Sequence, residues 1–194
     1  MKQCILIVSP GLNSVALQEV VEFGGKVVDS VALLCEFVEL SDFKRYIFSA
    51  RAPTRVVLVL SSSTSIEKLG FDFPFDAIKS FNLEYEGVTG QMVRDGLSKI
   101  ILPHIFSYFE LKNIEISITR KKPEATFFVV LREGAVDSSG STESIYYMGV
   151  DVCGDMARRA YRIFAHASSL RGDVAYRVIR ELGFDSSKKL LVGF

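Results

Sequence analysis

The side chains of this chain best suited to chemistry act by position rather than by making bonds. Arg120, Lys121 and Lys122 run together immediately before Pro123, and Arg158, Arg159 and Arg162 crowd a second short segment. Long cations on a turn reach phosphate oxygens without using buried surface, and the guanidinium fork matches phosphate geometry. Such groups hold and orient a polyanion. The residue types that cut or transfer groups do not assemble into a constellation. His104 lies in an apolar helical stretch and His166 stands alone. Cys4, Cys35 and Cys153 are widely separated, without the paired spacing of a zinc site or a disulfide framework. No complete Walker or dinucleotide glycine fingerprint is present. We therefore assign no catalytic residue and no metal ligand, and leave open whether the chain is an enzyme by itself.

Lys plus Arg equals Asp plus Glu at 23 each, so a polyanion partner must be argued from local charge. Residues 61–111 carry four basic and seven acidic side chains, whereas 112–194 carry thirteen and ten, which puts the basic surplus in the C-terminal half. With 48% hydrophobic residues and fifteen Phe the chain can bury a substantial core. The cysteines read as small buried hydrophobes in a reducing compartment. No basic leader with a long apolar segment opens the chain, and no run approaches the roughly 20 apolar residues of a membrane span. A cytoplasmic location is expected.

The elements that must position the cations follow from periodicity. Lys2 to Ser9 reads as a buried strand, and Leu12, Val15, Ala16, Val20 and Phe23 recur at helical spacing before Gly24-Gly25. Lys26 to Glu39 predicts two short strands. A helix over 41–50, with Ser41 as its N-cap, then leads into an apolar strand over 55–60. Strand, helix, strand, strand, helix, strand is the ferredoxin-like order, closed within about 60 residues. Ser61-Ser62-Ser63-Thr64-Ser65 is the predicted boundary between two units. After it, Ala77 to Tyr85 predicts a strand. Thr89 is the expected cap of a long helix striped by Val93, Leu97, Ile101, Ile105 and Phe109, and Pro103 is expected to kink it. Ile114 to Thr119 and Ala125 to Leu131 predict strands joined by the basic turn, 135–144 a mobile loop, and Ile145 to Val152 another strand. Two basic helical segments, 155–164 and 170–182, precede an apolar strand over 188–194. If 155–164 is helical, Arg158 and Arg162 share a face and Arg159 lies about 100 degrees round.

The stretch from Tyr147 through Met-Gly-Val-Asp-Val-Cys-Gly-Asp-Met-Ala-Arg-Arg-Ala-Tyr to Arg162, followed by His166-Ala-Ser-Ser-Leu-Arg171, resembles the junction of THUMP-containing RNA methyltransferases. In that family a strand with Asp and Gly runs into a paired-basic Tyr-Arg segment and then a His-Ala-Pro-Leu-Arg-like one. Ser169 stands here where the family usually has Pro, and Ala160 where Gly is usual, with the spacing intact. The element order agrees over essentially the whole chain.

The resemblance implies an α+β chain: a ferredoxin-like unit over 1–62, a THUMP RNA-binding unit over 63–152, a helical junction over 153–187, and over 188–194 the first strand of a Rossmann-like methyltransferase domain. It implies binding of RNA, of the tRNA acceptor end in particular, and presentation of a guanine for N2 methylation, with ribosomal RNA as the other substrate. The residues it points to are Arg120, Lys121, Lys122, Arg158, Arg159, Arg162 and Arg171. Alone, such basic segments read first as solvated faces, with Arg158, Arg159 and Arg162 as partners of acids such as Asp151 and Asp155. No cofactor is expected within this chain, S-adenosylmethionine being that of a longer parent, and the chain by itself is expected not to transfer a methyl group. The alternative is a free-standing adaptor that brings RNA to a separate enzyme. A third reading takes the first unit as a small-ligand or protein-interaction domain.

Overall fold

The computed structural model describes residues 1–70, 73, 78–136, 142–154, 156 and 172–183, without the side chains of 133–136, 142, 143 and 172. The elements are β1 (Lys2–Val8), α1 (Asn13–Glu22), β2 (Lys26–Asp29), β3 (Leu34–Phe37), α2 (Leu40–Ser49), β4 (Pro53–Ser63), a 3-10 turn (Ile66–Lys68), β5 (Ser80–Glu86), α3 (Gln91–Leu111), β6 (Ser117–Ile118), β7 (Ala125–Val136), β8 (Thr142–Asp151) and α4 (Gly172–Glu181). The strands form one mixed eight-stranded sheet in the order β2-β3-β1-β4-β8-β7-β5-β6. No helix among the described residues is long and apolar enough to cross a membrane.

Alternation along each strand divides the core into layers. On one face Cys4, Leu6, Cys35, Phe37 and Val56 meet α1 and α2 through Val15, Ala16, Val20, Phe43 and Tyr46. On the same face α3 lays Leu97, Ile101, Ile105 and Phe109 against Phe81, Phe127, Val129, Met148 and Val150. Leu58 and Val152 touch both clusters. The opposite face buries Ile5, Leu34, Val57, Phe128, Val130 and Tyr147, residues from both halves of the sheet. There Arg132 of β7 donates to the Ala32 carbonyl, 3.4 Å away, in the loop between β2 and β3.

Several expectations change. Ser61, Ser62 and Ser63 are not a linker: they pair with Met148, Tyr147 and Tyr146 in the ladder between β4 and β8. Backbone groups make the ladder, so hydroxyl side chains do not forbid a strand whose neighbour supplies aromatic cover. Ser41 and Thr89 cap nothing. Glu39 and Gly90 occupy the N-cap positions, neither with a side-chain cap bond. α3 continues through Pro103, which lies on its exposed side, and Val93 in the first turn is exposed. The strand expected over 114–119 shrinks to Ser117–Ile118 and pairs with β5, not β7. Part of the expected loop over 135–144 is strand, since β7 runs to Val136 and β8 starts at Thr142. Its centre, 137–141, lies outside the described residues, as do the helical segment predicted over 155–164, apart from Met156, and the apolar strand over 188–194.

Gly149 sits between β4 and β7, opposite Val59 and Phe128. A Cβ there would lie 2.5 Å from Val57 Cγ1 and 2.6 Å from the Leu58 carbonyl oxygen. Backbone cannot yield as a side-chain tip can. We expect Gly149→Ala to destabilise the chain by about 1–3 kcal/mol, read from urea midpoints at unchanged slope.

Candidate nucleic-acid interface

The turn carrying Arg120, Lys121 and Lys122 runs from β6 on one side of β5 to β7 on the other, so it is a crossover rather than a tip between paired neighbours. Its ends are fastened. Thr119 N donates to the Phe81 carbonyl at 2.8 Å, and Glu124 N to the Ser80 carbonyl at 3.2 Å. Thr119 Oγ1 accepts from Lys121 N at 3.2 Å, and Lys122 adopts a left-handed φ of 51°. Glu124, the acid that follows the turn in sequence, accepts Lys79 N at 2.8 Å.

Several arginines elsewhere in the chain are committed. Arg55 pairs with Asp151, Arg132 with Glu86, Arg45 with Asp42, Arg177 with Glu181 and Arg180 with Glu22. Arg94 forks onto the Val88 carbonyl at 3.0 and 2.9 Å. Arg120, Lys121 and Lys122 are exposed and carry no ion pair to a described acid. A cluster of three exposed like charges on a fastened turn concentrates positive potential at one edge of the sheet.

Beside Arg120 opens a polar groove of about 420 Å³ between the outer edge of β5 and the first half of α3. Asn82, Tyr85, Gln91, Arg94, Ser98 and Thr119 are among its walls. Tyr85 Oη and Ser98 Oγ share a hydrogen bond of 2.6 Å, and Ser98 Oγ donates to the Arg94 carbonyl at 2.9 Å. Burial pushes the Tyr85 phenol above its ordinary range, so it stays neutral and keeps its proton. β6 covers β5 only at Ser80 and Phe81, so the edge from Asn82 onward borders this groove. The sequence reading missed these residues. Their signal was the recurrence of Gln91, Arg94 and Ser98 at three- and four-residue intervals, a second face beside the apolar stripe.

The junction is anchored at its start. Asp151 Oδ2 receives Arg55 Nη1 at 2.5 Å, while Oδ1 accepts Cys153 N at 3.1 Å and Gly154 N at 3.0 Å. Gly154, at φ 67°, turns the chain out of β8, and Met156 N then bonds the Thr54 carbonyl at 2.8 Å. Asp151 is thus occupied by Arg55 and by the turn. Arg158, Arg159, Arg162 and Arg171 lie outside the described residues, together with Asp155 and His166. His104 lies on the exposed side of α3 rather than in its buried stripe. Cys4 and Cys35 are buried, Cys153 is half-buried, and all three are free thiols. Burial pushes Cys35 and Cys153 up to about 12 and raises Cys4 as well, which removes them as nucleophiles at neutral pH. Among the described residues no group of three or more His, Cys, Asp or Glu could hold a metal ion.

No protein-family profile and no curated protein matches the chain. Solved structures do. A protein from Listeria monocytogenes str. 4b F2365, described as an N6-adenine-specific DNA methylase, is 16% identical with a TM-score of 0.58, over 92% of this chain and 47% of its own. A possible methylase from Clostridium difficile 630 is 14% identical with a TM-score of 0.62, over 92% and 48%. SMU.472, described as a methyltransferase and complexed with SAH, is 13% identical with a TM-score of 0.60, over 93% and 48%. The chain therefore spans about half the length of the structures it matches, and nearly all of it shares a mixed α/β fold with one half of chains named as methylases or methyltransferases.

Proposed function

We propose that this chain is the RNA-binding portion of an S-adenosylmethionine-dependent RNA methyltransferase, and that it holds the acceptor end of a tRNA while a separate domain carries out transfer. The observation that carries the reading is the fastened crossover turn whose three exposed cations have no ion pair to a described acid, beside a polar groove. Phosphates would meet Arg120, Lys121 and Lys122, and the groove is wide enough for a base or sugar of an unpaired strand. The order β2-β3-β1-β4 with two helices on one face supports a ferredoxin-like unit over 1–62, and β5 to β8 with α3 support a THUMP unit over 63–152. The fold shared with methylase chains, one of them holding SAH, supports the methyltransferase assignment. A guanine methylated on its exocyclic nitrogen rests on the resemblance of the junction sequence, and a cytoplasmic location on the three scattered cysteines, which suit a reducing compartment.

S-adenosylmethionine belongs to the separate domain and not to the described residues. No step of the transfer is therefore assigned to this chain's side chains.

The test is Arg120→Ala, Lys121→Ala and Lys122→Ala together. We expect weaker binding to every RNA tried and a log-log salt slope shallower by about 0.7 per lost single-strand phosphate contact. Titrations against bulk tRNA, a ribosomal RNA fragment and single-stranded DNA of equal length read it. An unchanged slope makes the turn a solvated crossover, and equal affinity for the DNA overturns the RNA assignment.

A further inference from the structure

The groove between β5 and α3 differs in charge from the turn beside it. Arg94 and Arg120 line it together with Glu84 and Asp95, two charges of each sign, whereas Arg120, Lys121 and Lys122 on the turn are all cationic. Both acids keep their places: Asp95 accepts from Gln91 Nε2 at 2.8 Å, and Glu84 from Asn82 Nδ2 at 3.0 Å. A phosphate placed among carboxylates meets repulsion, while a neutral group rich in hydrogen-bonding atoms does not. Charge therefore assigns the phosphates to the turn and an uncharged part of the ligand to the groove.

Counting protons shows what that part must offer. Ser98 has a single hydroxyl proton and donates it to the Arg94 carbonyl at 2.9 Å. The 2.6 Å bond between Tyr85 Oη and Ser98 Oγ therefore runs from the phenol to the serine. Burial keeps the phenol protonated at neutral pH, so the direction of that bond is stable. With its proton committed, Tyr85 Oη is an acceptor on the groove wall, and its partner has to be a donor. A phosphate oxygen has no proton to give. Arg94 supplies the complement: Nε and Nη2 hold the Val88 carbonyl, and among the described residues the N–H groups of Nη1 have no bonded acceptor. We propose that Tyr85, with Arg94, reads the ribose 2′-hydroxyl of the nucleotide whose phosphate lies on Arg120, so that this groove distinguishes RNA from DNA by one proton. A hydroxyl both donates and accepts, which matches a wall that offers an acceptor and a donor, and the sugar is the uncharged part of a nucleotide joined directly to its phosphate. The proposal deepens the RNA-binding reading above and rests on it.

The experiment varies the sugar and leaves the bases alone. The 194-residue chain is titrated with a fluorescein-labelled single-stranded oligouridine in its 2′-hydroxyl, 2′-deoxy and 2′-fluoro forms. Fluorine keeps the RNA-like sugar shape but carries no proton. We expect the hydroxyl form to bind roughly tenfold tighter than either of the others, the upper end of what one net hydrogen bond supplies. Tyr85→Phe, its fold checked by circular dichroism, should bring all three forms to the same weaker affinity. The basic-turn variant should instead weaken all three alike and keep the ratio between them, because phosphates are common to every form. Equal binding of the hydroxyl and fluoro forms by the wild-type chain overturns the proposal, and that comparison depends on no variant. Equal weakening of all three forms by Tyr85→Phe assigns the acceptor to a base N–H, and unchanged discrimination in Tyr85→Phe assigns the sugar to another residue; either also overturns it. The two readings fail differently: hydroxyl and fluoro forms equal to each other but tighter than the deoxy form sink the Tyr85 assignment alone, whereas three equal affinities sink the RNA reading with it.

Discussion

Arg55→Leu is expected to cost about 3 kcal/mol, the largest effect of any single substitution considered, because it strands a buried carboxylate. The Asp151 side chain is 4% exposed, and its Oδ2 has Arg55 as its charged partner at 2.5 Å. Arg55 also lies over Phe128 at 5.5 Å and reaches Glu84 at 3.9 Å, which ties β4, β8, β7 and β5 at one point. A double-mutant cycle isolates the pair. Asp151→Asn can keep accepting from Cys153 N and Gly154 N while discarding the charge, so Arg55→Leu with Asp151→Asn should be less damaging than the two single costs added together, by about 1 kcal/mol or more. Urea unfolding of the four proteins measures it. Strict additivity would show that the ion pair contributes nothing and that Asp151 serves the turn alone. The same variants bear on function, because the elbow that Asp151 holds is where the chain leaves the sheet for the junction.

Glu19→Gln is expected to cost about 2 kcal/mol at neutral pH, or roughly 4–8 °C in melting temperature for a chain of this size. Glu19 is 2% exposed on α1, and its oxygens accept Arg51 N at 2.9 and 3.0 Å and Ala52 N at 3.0 Å. An amide placed there turns an N–H toward an N–H. The pH dependence has a definite sign. Burial raises the Glu19 carboxyl above the usual 4.5, outweighing the backbone donors of Ala52 and Arg51 that pull it down. A raised folded-state value means the native state binds the proton more tightly, so this contribution is full below the unfolded value and is lost as pH rises through the folded one. Wild type should therefore pull further ahead of Glu19→Gln as pH falls from neutrality toward 4.5, with a constant gap below that. A gap that narrows on acidification would mean the backbone N–H groups, not burial, dominate the site.

Local order was legible in the sequence wherever burial on one face imposed a period. The first six elements appear in the predicted order, because Val15, Ala16 and Val20 on α1 and alternation along β1 report which side of each element meets the core. The α3 stripe was legible for the same reason from Leu97 to Phe109. The cationic turn was visible too, since three consecutive long cations need no partner to be recognised. Pairing across distance was not. Ser61 to Ser63 carry no apolar period, and only the tyrosines of β8, more than eighty residues away, make them a strand. Insertion of β5 between β6 and β7 likewise depends on which edges are free, a property of the assembled sheet. Nor could composition tell which face of α4 turns inward. Its polar arc turns inward, with Asp173 buried, because Ser9 and Glu22, brought together by β1 and α1, offer partners to Asp173 and Arg180, and a satisfied polar group can be buried where an unsatisfied one cannot. Period is local and survives in sequence; partnership is spatial and exists only once the chain has folded.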